Sequence, residues 1–211
     1  MFKFTNAHKK YWKERKIDWN QAYLSTWNHP HRELIIGALK SFPWVSLWEV
    51  GCGPGANLVR ITKDPEIKGK QLGGSDINAD AIALANKTFN GGKFHVESSE
   101  DMLLSDSAVD VVLSDASLIY IDPTKIQKVL KEMVRISRNH ILLCEFHGNS
   151  PWERLKLWWE TGYFAYNYDK ELEKAGCFQI TKFKIPKEYW PGTPWEEWGY
   201  IIIARIPKKV L

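Results

Sequence analysis

The chain has 211 residues, of which 44% are hydrophobic and 26% charged, and it carries a formal net charge of +4 at neutral pH. This length is ample for one α/β domain with a full core and short for two. No apolar run approaches the roughly 18 residues that a membrane-spanning helix needs, and no secretory signal is apparent. The three cysteines are far apart, which predicts neither a disulfide framework nor a zinc site. A cytoplasmic protein without membrane association is expected, and the mild positive charge permits contact with nucleic acid without indicating it.

Residues 1–30 are polar and aromatic, with a basic cluster between positions 9 and 16. We interpret this cluster as a solvated helix face in preference to a binding patch. From His31, apolar residues recur at positions 34, 35, 38, 39 and 42, and this 3.6-residue period predicts a helix. We expect that helix to pack on the sheet beside a first strand over residues 44–50.

A glycine-rich turn follows this first strand and organises the rest of the chain. Gly51, Gly53 and Gly55 stand at alternate positions before a helix predicted over about 56–62. Glycines at this density cost backbone entropy, so they need a reason. We interpret them as a tight turn that brings backbone N–H groups close to a ligand, with more free N–H groups at the start of the helix. A glycine-rich turn without a ligand is the alternative.

Two acidic residues sharpen this interpretation. Glu49 lies two residues before the first glycine, where a carboxylate can face a cationic group. Asp76 closes a second strand, predicted over 71–77, where an acidic side chain would hold a ribose diol. The pattern Glu49-x-Gly51-x-Gly53-x-Gly55 with Asp76 resembles the class I S-adenosylmethionine (SAM)-dependent methyltransferases, in particular the small-molecule type 11/25 group.

The next part of the chain alternates strands and helices. Asn78 is predicted to cap a helix, and strands are predicted over 94–97 and 109–114. Asp122-Pro123 is predicted to begin the next helix, as cap and first helical position, before a fifth strand over 140–146. Such alternation predicts right-handed crossovers and a parallel, doubly wound sheet.

The pattern changes after residue 147. Ser150-Pro151 is predicted to start a helix, and a second short helix reaches Gly176. Two strands follow, over 178–185 and 198–206, and the linker between them is too short for a helical crossover, so they should pair antiparallel. We therefore predict an α/β fold with a doubly wound, mostly parallel seven-stranded sheet and a C-terminal antiparallel strand. One domain is expected over 1–211, with an N-terminal lid (1–30), a cofactor-binding core (31–147) and acceptor-side elements (148–211).

The resemblance implies SAM as the methyl donor and S-adenosylhomocysteine (SAH) as the product. It implies that Gly51, Gly53 and Gly55 let the backbone approach the methionyl part of the cofactor and that Glu49 holds its amino group. Asn57, which opens the helix, is a candidate for a further polar contact, and a plain role at the helix start is equally open.

The resemblance also implies contacts for the nucleoside part of SAM. Asp76 would accept from both ribose hydroxyls, and Ile77 would lie against the adenine face. Ser98 stands where many relatives carry an acid for the adenine amino group, so this sequence departs from the pattern. The Ser99 N–H is a candidate to donate to the adenine ring nitrogen, and Glu100 or Asp101 is a candidate to take over the contact with the amino group, although surface solvation explains these two carboxylates as well.

Methyl transfer requires the protein to position the nucleophile and to exclude water. A base is needed only if the acceptor is protonated at neutral pH. Asp115, at the end of the fourth strand, is a candidate for cofactor contact, substrate orientation or general base. His147 is the best-placed histidine by topology and Tyr120 is next, while His29 and His31 are within reach from the N-terminal segment. A surface or packing role is the alternative for any single histidine, and no metal site is predicted.

The eleven tryptophans lie before the glycine turn or after the fifth strand, in the segments that build the acceptor pocket of resembling enzymes. We therefore predict an aromatic-lined pocket for a planar, apolar or cationic small molecule, although small caps can also use tryptophan simply to form a core. The predicted function is methyl transfer to oxygen or nitrogen of such an acceptor. The alternatives are an RNA methyltransferase, a SAM-binding protein without catalysis and a nicotinamide-binding domain. Glu49 and the terminal strand pair disfavour the last of these.

Residues 1–28 are expected to form a mobile lid whose aromatic rings face the ligands and whose lysines (Lys9, Lys10, Lys13 and Lys16) face solvent. The oligomeric state stays open.

Overall fold

The computed structural model describes residues 7–192 and 194–207. Its strands are β1 (Ser46–Val50), β2 (Gln71–Asp76), β3 (Lys93–Val96), β4 (Val109–Asp115), β5 (Ser137–Phe146), β6 (Phe178–Lys184) and β7 (Gly199–Arg205). Its helices are α1 (Ala7–Glu14), α2 (Trp19–Ala22), α3 (His31–Lys40), α4 (Ala56–Lys63), α5 (Ala79–Thr88), α6 (Ile126–Ile136), α7 (Pro151–Thr161), α8 (Tyr168–Lys174) and α9 (Trp195–Trp198). Among the described residues, no helix is long and apolar enough to cross a membrane.

All seven strands form one sheet in the order β3-β2-β1-β4-β5-β7-β6. The pairs among β1 to β5 are parallel, whereas β7 lies antiparallel to both β5 and β6. This arrangement confirms the predicted doubly wound sheet with a C-terminal antiparallel strand. The strand order reverses between β1 and β4, and open α/β sheets bind ligands outside the carboxyl ends of the strands at such a point.

The sheet is covered by apolar side chains on both faces. Leu39 of α3, Leu58 of α4 and Leu113 of β4 belong to a fully buried cluster on one face. Leu130 and Met133 of α6 belong to the cluster on the other face. Truncating such a leucine to alanine typically costs about 2–5 kcal/mol. The strand ends are therefore held on a rigid frame that can position a site.

The predicted starts of two helices are confirmed, including the predicted cap at Asn78. The Asn78 side chain accepts from the N–H groups of Asp80 and Ala81 at the start of α5. Ser150 forms a capping box with Glu153, and Pro151 occupies the first turn of α7. Both arrangements satisfy N–H groups that a helix start would otherwise leave free.

Two local predictions differ from the structure. The α6 helix begins at Ile126 and not at Pro123, because the Asp122 carboxylate accepts from the Thr124 N–H and closes a turn first. The linker between β6 and β7 contains the short helix α9, which the proline-rich sequence around it concealed. Neither difference moves a strand end.

Candidate active site

A cleft of about 450 Å³ opens at the carboxyl ends of β1, β2 and β4, within the usual size range of small-molecule sites. Its floor is the glycine turn between β1 and α4. Its walls are the ends of the strands, and its roof comes from residues 8–32 and from aromatic side chains after β5.

The glycine turn has the backbone geometry that the sequence predicts. Gly51, Gly53 and Gly55 have φ values of +72°, +52° and +89°, in the left-handed region that favours glycine. A Cβ atom on Gly51 would lie 1.9 Å from Ser117 Oγ, and one on Gly55 would lie 2.6 Å from the Phe89 ring. A Cβ on Gly53 would meet no protein atom within 4 Å. Gly53 thus lines the cleft with bare backbone.

Asp76, at the end of β2, fastens this turn. Its Oδ2 accepts from the Gly53 N–H at 3.0 Å and its Oδ1 from the Asn78 N–H at 2.8 Å. Burial raises the pKa of this carboxyl above its ordinary value. Each carboxylate oxygen can accept a second hydrogen bond, so Asp76 keeps capacity for two ligand hydroxyls while it holds the loop.

Glu49, Asn57 and Asp115 form a hydrogen-bonded group beside the turn. Asn57 Nδ2 donates to Glu49 Oε1 at 2.6 Å and to Asp115 Oδ2 at 2.9 Å. Three acceptor oxygens of this group lack a hydrogen-bond partner among the described residues, namely Glu49 Oε2, Asn57 Oδ1 and Asp115 Oδ1. An unsatisfied buried polar atom costs about 1–3 kcal/mol. Three such acceptors suit an ammonium group, which has three N–H donors.

The two carboxyls of this group titrate in opposite directions. Burial raises the pKa of Glu49 to about 8. Burial also acts to raise the pKa of Asp115. The adjacent His31 and Arg32 and the amide of Asn57 outweigh this effect and hold the pKa of Asp115 well below its ordinary value. Asp115 is therefore ionised at neutral pH, while Glu49 ionises readily only when a cation is near.

Arg32 was not predicted as a site residue. It is buried in α3, lines the cleft and donates from its NH1 to the Thr26 carbonyl at 2.8 Å. Its Nε–H has no partner among the residues that the structure describes. A buried guanidinium with a free donor suits a ligand carboxylate. Only its proximity to Glu49 and Asp115 reveals it, because its position in the sequence is an ordinary helix position.

Near the ends of β2 and β3, Ile77 and Ser99 line the cleft, and their contacts with adenine stay a prediction. Glu100 also lines it, but its Oε1 accepts from Lys9 at 2.9 Å and from Lys125 at 3.1 Å. Lys9 is exposed, as predicted for the lysines of this segment, and its ammonium also pairs with Glu100 at the edge of the cleft.

Glu97 is a second residue that the sequence did not single out. Its Oε2 accepts from the Leu103 N–H at 3.0 Å, while its Oε1 is buried without a partner among the described residues. Glu97 lines the cleft, one position before Ser98. An acidic side chain is therefore present at the end of β3, one position before the serine at which the sequence departs from the family pattern.

The N-terminal segment covers the cleft with aromatic rings. Trp12, Trp19 and Tyr23 line it, and the Trp12 ring lies 4.9 Å from that of Tyr120. Both indole N–H groups are buried without a partner among the described residues. Asn78 fastens the segment, because its Nδ2 donates to the carbonyls of Trp12 and Arg15 at 2.8 and 2.9 Å. The predicted direction of the rings thus agrees with the structure, and residues 1–6 of the predicted lid lie outside the described residues.

Aromatic side chains after β5 divide into two groups. Tyr163, Phe164, Trp190 and Trp195 line the cleft. The tryptophans of α7 point elsewhere, and Trp152 and Trp159 are 78% and 81% exposed.

Tyr120 and His147 occupy different environments. Tyr120 lines the cleft, and burial raises its pKa above the ordinary value. His147 is buried outside the cleft lining, where its Nε2 lies 3.0 Å from Asn149 Oδ1 and its Nδ1 accepts from the Tyr168 N–H. Both ring nitrogens are engaged, so the structure does not place His147 where a base would act.

The N-terminal histidines take the position expected of His147. His31 Nε2 lies 2.9 Å from Asp115 Oδ2, and its Nδ1 lies 2.6 Å from His29 Nδ1. Cys144 lies nearby, so that ligand atoms of Cys144, His31 and Asp115 are within 4.8 Å of one another. Burial raises the pKa of the Cys144 thiol well above its ordinary value, whereas metal ions bind the thiolate. We do not assign a metal to this group, and the absence of a metal stays a prediction.

Glu145 of β5 shapes the loop that carries Tyr120. Its Oε1 accepts from Ser114 Oγ and from the N–H groups of Ser117 and Leu118. Burial raises the pKa of Glu145 to about 7. This residue supports the wall of the cleft from behind and was not predicted from the sequence.

Comparison with known proteins agrees with this geometry. Residues 48–140, from β1 to the start of β5, match the family model of a methyltransferase domain. Together with the sheet topology, the match confirms the resemblance to the class I SAM-dependent methyltransferases. No curated protein matches the sequence.

Solved structures share the fold at low identity. A protein from Pyrococcus horikoshii OT3, PH0226, is 16% identical with a TM-score of 0.65, over 94% of this chain and 99% of that one. Magnesium protoporphyrin IX methyltransferase from Synechocystis PCC 6803, solved with bound SAH, is 13% identical with a TM-score of 0.60, over 97% and 96% of the two chains. The [4+2]-cyclase SpnF is 17% identical with a TM-score of 0.65, over 92% and 86%. At these identities the likeness extends to the fold, and the chemistry has to be argued from the site.

Proposed function

We propose that this protein is a SAM-dependent methyltransferase that acts on oxygen or nitrogen of a small molecule. The observation that carries the proposal is the set of unpartnered buried polar atoms beside the glycine turn. The methyltransferase-domain match over residues 48–140 supports the same reaction.

The unpartnered atoms fit the amino acid part of SAM, which carries an ammonium and a carboxylate on one carbon. Glu49, Asn57 and Asp115 supply acceptors for the ammonium, and Arg32 supplies a donor for the carboxylate. A site that binds both an ammonium and a carboxylate would select against ligands that carry only one of these groups. The bare backbone at Gly53 leaves room for the ligand to approach closely.

The other end of the cleft fits a nucleoside. Asp76 retains acceptor capacity for the two ribose hydroxyls. Ile77 and Ser99 flank the adenine position. We assign the acidic contact with the adenine amino group to Glu97, whose Oε1 is free, in place of Glu100, which two lysines occupy.

When bound, SAM supplies an electrophilic methyl group on a sulfonium. The chain's own residues orient the partner and exclude water, for which the Trp12, Trp19 and Tyr23 rings are in place. The two indole N–H groups and the ring of Tyr120 favour a planar acceptor with polar atoms. The predicted aromatic-lined pocket thus takes tryptophans from the N-terminal segment and from residues 190–195 and not from α7.

The test compares SAH with methylthioadenosine, which lacks the amino acid part. Calorimetry on the wild-type protein should give tighter binding of SAH by at least tenfold. Glu49→Gln should weaken SAH binding by about tenfold or more, since a hydrogen bond to a charged group contributes about 1.5–3 kcal/mol. The affinity of this variant for methylthioadenosine should be unchanged. Asp76→Ala should weaken the binding of both ligands. Equal affinity for both ligands in the wild-type protein would contradict the proposed site.

Catalysis and RNA binding need separate measurements. Incubation with SAM and a panel of phenols and amines should release SAH only with a true acceptor, whereas a SAM-binding protein without catalysis releases none. Binding to RNA would weaken steeply as the salt concentration rises, and SAH release that depends on added RNA would favour that alternative.

A further inference from the structure

Three side chains form a hydrogen-bonded row that leads from the buried end of β4 into the cleft. Asp115 Oδ2 lies 2.9 Å from His31 Nε2, and His31 Nδ1 lies 2.6 Å from His29 Nδ1. The side chains of His31 and Asp115 are 3% and 6% exposed. His29 is only half-buried and lines the cleft. Asp115 and His31 are thus buried beside the glycine turn, and His29 is the member of the row that is most exposed in the cleft.

When both imidazoles are neutral, the contacts define where the protons lie. The Asp115 carboxylate is an acceptor, so His31 Nε2 carries a hydrogen. When His31 is neutral its Nδ1 is then an acceptor, and His29 Nδ1 must donate to it. This leaves Nε2 of His29 as an acceptor, and among the described residues the ring of His29 forms its hydrogen bond through Nδ1.

We propose that His29 is the general base for the acceptor, and that His31 and Asp115 are positioning residues that take up the resulting charge. The inference rests on the proposed methyl transfer and adds a class of acceptor to it. That class is a small molecule whose reacting oxygen or nitrogen still carries a proton at neutral pH, such as a phenol or a protonated amine.

The proton and electron balance of this step is simple. The proton of the acceptor atom passes to Nε2 of His29, and the electron pair that it leaves on the acceptor atom forms the bond to the methyl carbon. The electron pair of the broken carbon–sulfur bond remains on the sulfur of the leaving thioether. As Nε2 gains a proton, the Nδ1 proton of His29 moves to Nδ1 of His31. The positive charge then lies beside the Asp115 carboxylate, and His29 returns the proton to water when the product leaves.

The surroundings suit this role. Burial, His31 and Arg32 lower the pKa of His29, while Asp115 acts in the opposite sense. His29 is therefore neutral and able to accept a proton at neutral pH. From the linker before α9, the uncharged Trp190 ring packs against both imidazoles, with centroids 4.0 Å from that of His31 and 5.1 Å from that of His29.

The first test is nitrogen NMR of histidine-labelled protein without acceptor or cofactor. At pH 8, His29 should be protonated on Nδ1 and His31 on Nε2. In His31→Gln, His29 should change its tautomer or move its titration midpoint by at least half a pH unit. His140→Gln is the matched control, because His140 stacks on Phe42 at the start of β5 and should leave both signals unchanged. Independent titration of His29, unaltered in His31→Gln, would overturn the row.

The second test separates base catalysis from packing. His29→Gln should bind SAH within about twofold of the wild-type protein by calorimetry. Its transfer rate to an acceptor from the phenol and amine panel should fall at least tenfold at pH 7 and recover with added imidazole. Equal rates at every pH would overturn the assignment of His29. A wild-type protein that binds no SAH would contradict the proposed function instead, and the NMR result would still decide whether the row exists.

Discussion

At the scale of single residues, the three glycines of the turn are alike in sequence but required for different reasons. Gly51 is required by Ser117 and Gly55 by Phe89, since a Cβ atom at either position would collide with the protein itself. Gly53 is required only by its positive φ and by whatever occupies the cleft. A side chain added at Gly53 therefore tests whether a ligand lies against the backbone there.

Gly53→Val should keep the fold and lose the ligand. A non-glycine residue in the left-handed region costs about 1–2 kcal/mol, which a domain of ordinary stability tolerates. The valine side chain would project into the cleft, so SAH affinity should fall by at least 100-fold, about 2.7 kcal/mol. Circular dichroism and calorimetry measure the two effects.

Gly51→Val is the contrasting variant. Its Cβ would lie 1.9 Å from Ser117 Oγ, so this variant should unfold or lose most of its stability. If Gly53→Val binds SAH as the wild-type protein does, the ligand does not approach this backbone.

Residues of the site differ in how far the sequence reveals them. Glu49 and Asp76 are predictable because each lies at a fixed distance from the glycines along the chain. Arg32 and Glu97 are not, because their importance comes from unpartnered atoms that only the folded chain brings to the cleft. The sequence favours His147 over His31, because topology indicates which strand end a residue follows but not which way its ring turns.

At the scale of elements, the strands and their order follow from alternation of apolar runs, whereas the cover of the cleft does not. The helix α1 has no buried residue, so no apolar period predicts where it docks. Its position depends on ring contacts such as that of Trp12 with Tyr120, and on polar contacts with the body of the protein. Asn78 supplies two of them while it also caps α5.

Asn78→Asp should separate these two roles. The carboxylate keeps the oxygen that caps α5 but loses the N–H donors and faces the carbonyls of Trp12 and Arg15. The α5 helix should remain intact, while residues 7–22 should exchange amide hydrogens at least tenfold faster. Hydrogen exchange with mass spectrometry, with and without SAH, measures both segments.

Asn167→Asp is the matched control for this variant. Asn167 caps α8, and its Nδ2 donates to the Asn149 carbonyl, away from the cleft. It should leave exchange in residues 7–22 unchanged. Unchanged exchange in Asn78→Asp would show that other contacts hold the N-terminal segment, and equal exchange with and without SAH would contradict the lid.

At the scale of the whole molecule, the cleft is built at the expense of stability. The protein buries Glu49 and Glu145 in one small region, and burial raises their pKa values to about 8 and about 7. A carboxyl whose pKa is higher in the folded state than in the unfolded state stabilises the fold only while it is protonated. Its contribution is complete below its unfolded pKa and is lost as the pH rises through the folded pKa.

The free protein should therefore lose stability as the pH rises from about 5 to about 8. Glu49 alone should account for a loss of a few kcal/mol in the free energy of unfolding, because each pKa unit by which the folded state exceeds the unfolded state corresponds to about 1.4 kcal/mol.

SAH should reverse this trend, because its ammonium would face Glu49 and favour the ionised form. The increase in melting temperature on adding SAH should then be larger at pH 8 than at pH 6, with affinity rising up to about tenfold per pH unit below the pKa of Glu49. In Glu49→Gln the free protein should be more stable than the wild type at pH 8, and the pH dependence of SAH binding should flatten. A wild-type protein whose SAH affinity is the same at both pH values would show that no proton leaves Glu49 on binding, and hence that the ammonium is held elsewhere.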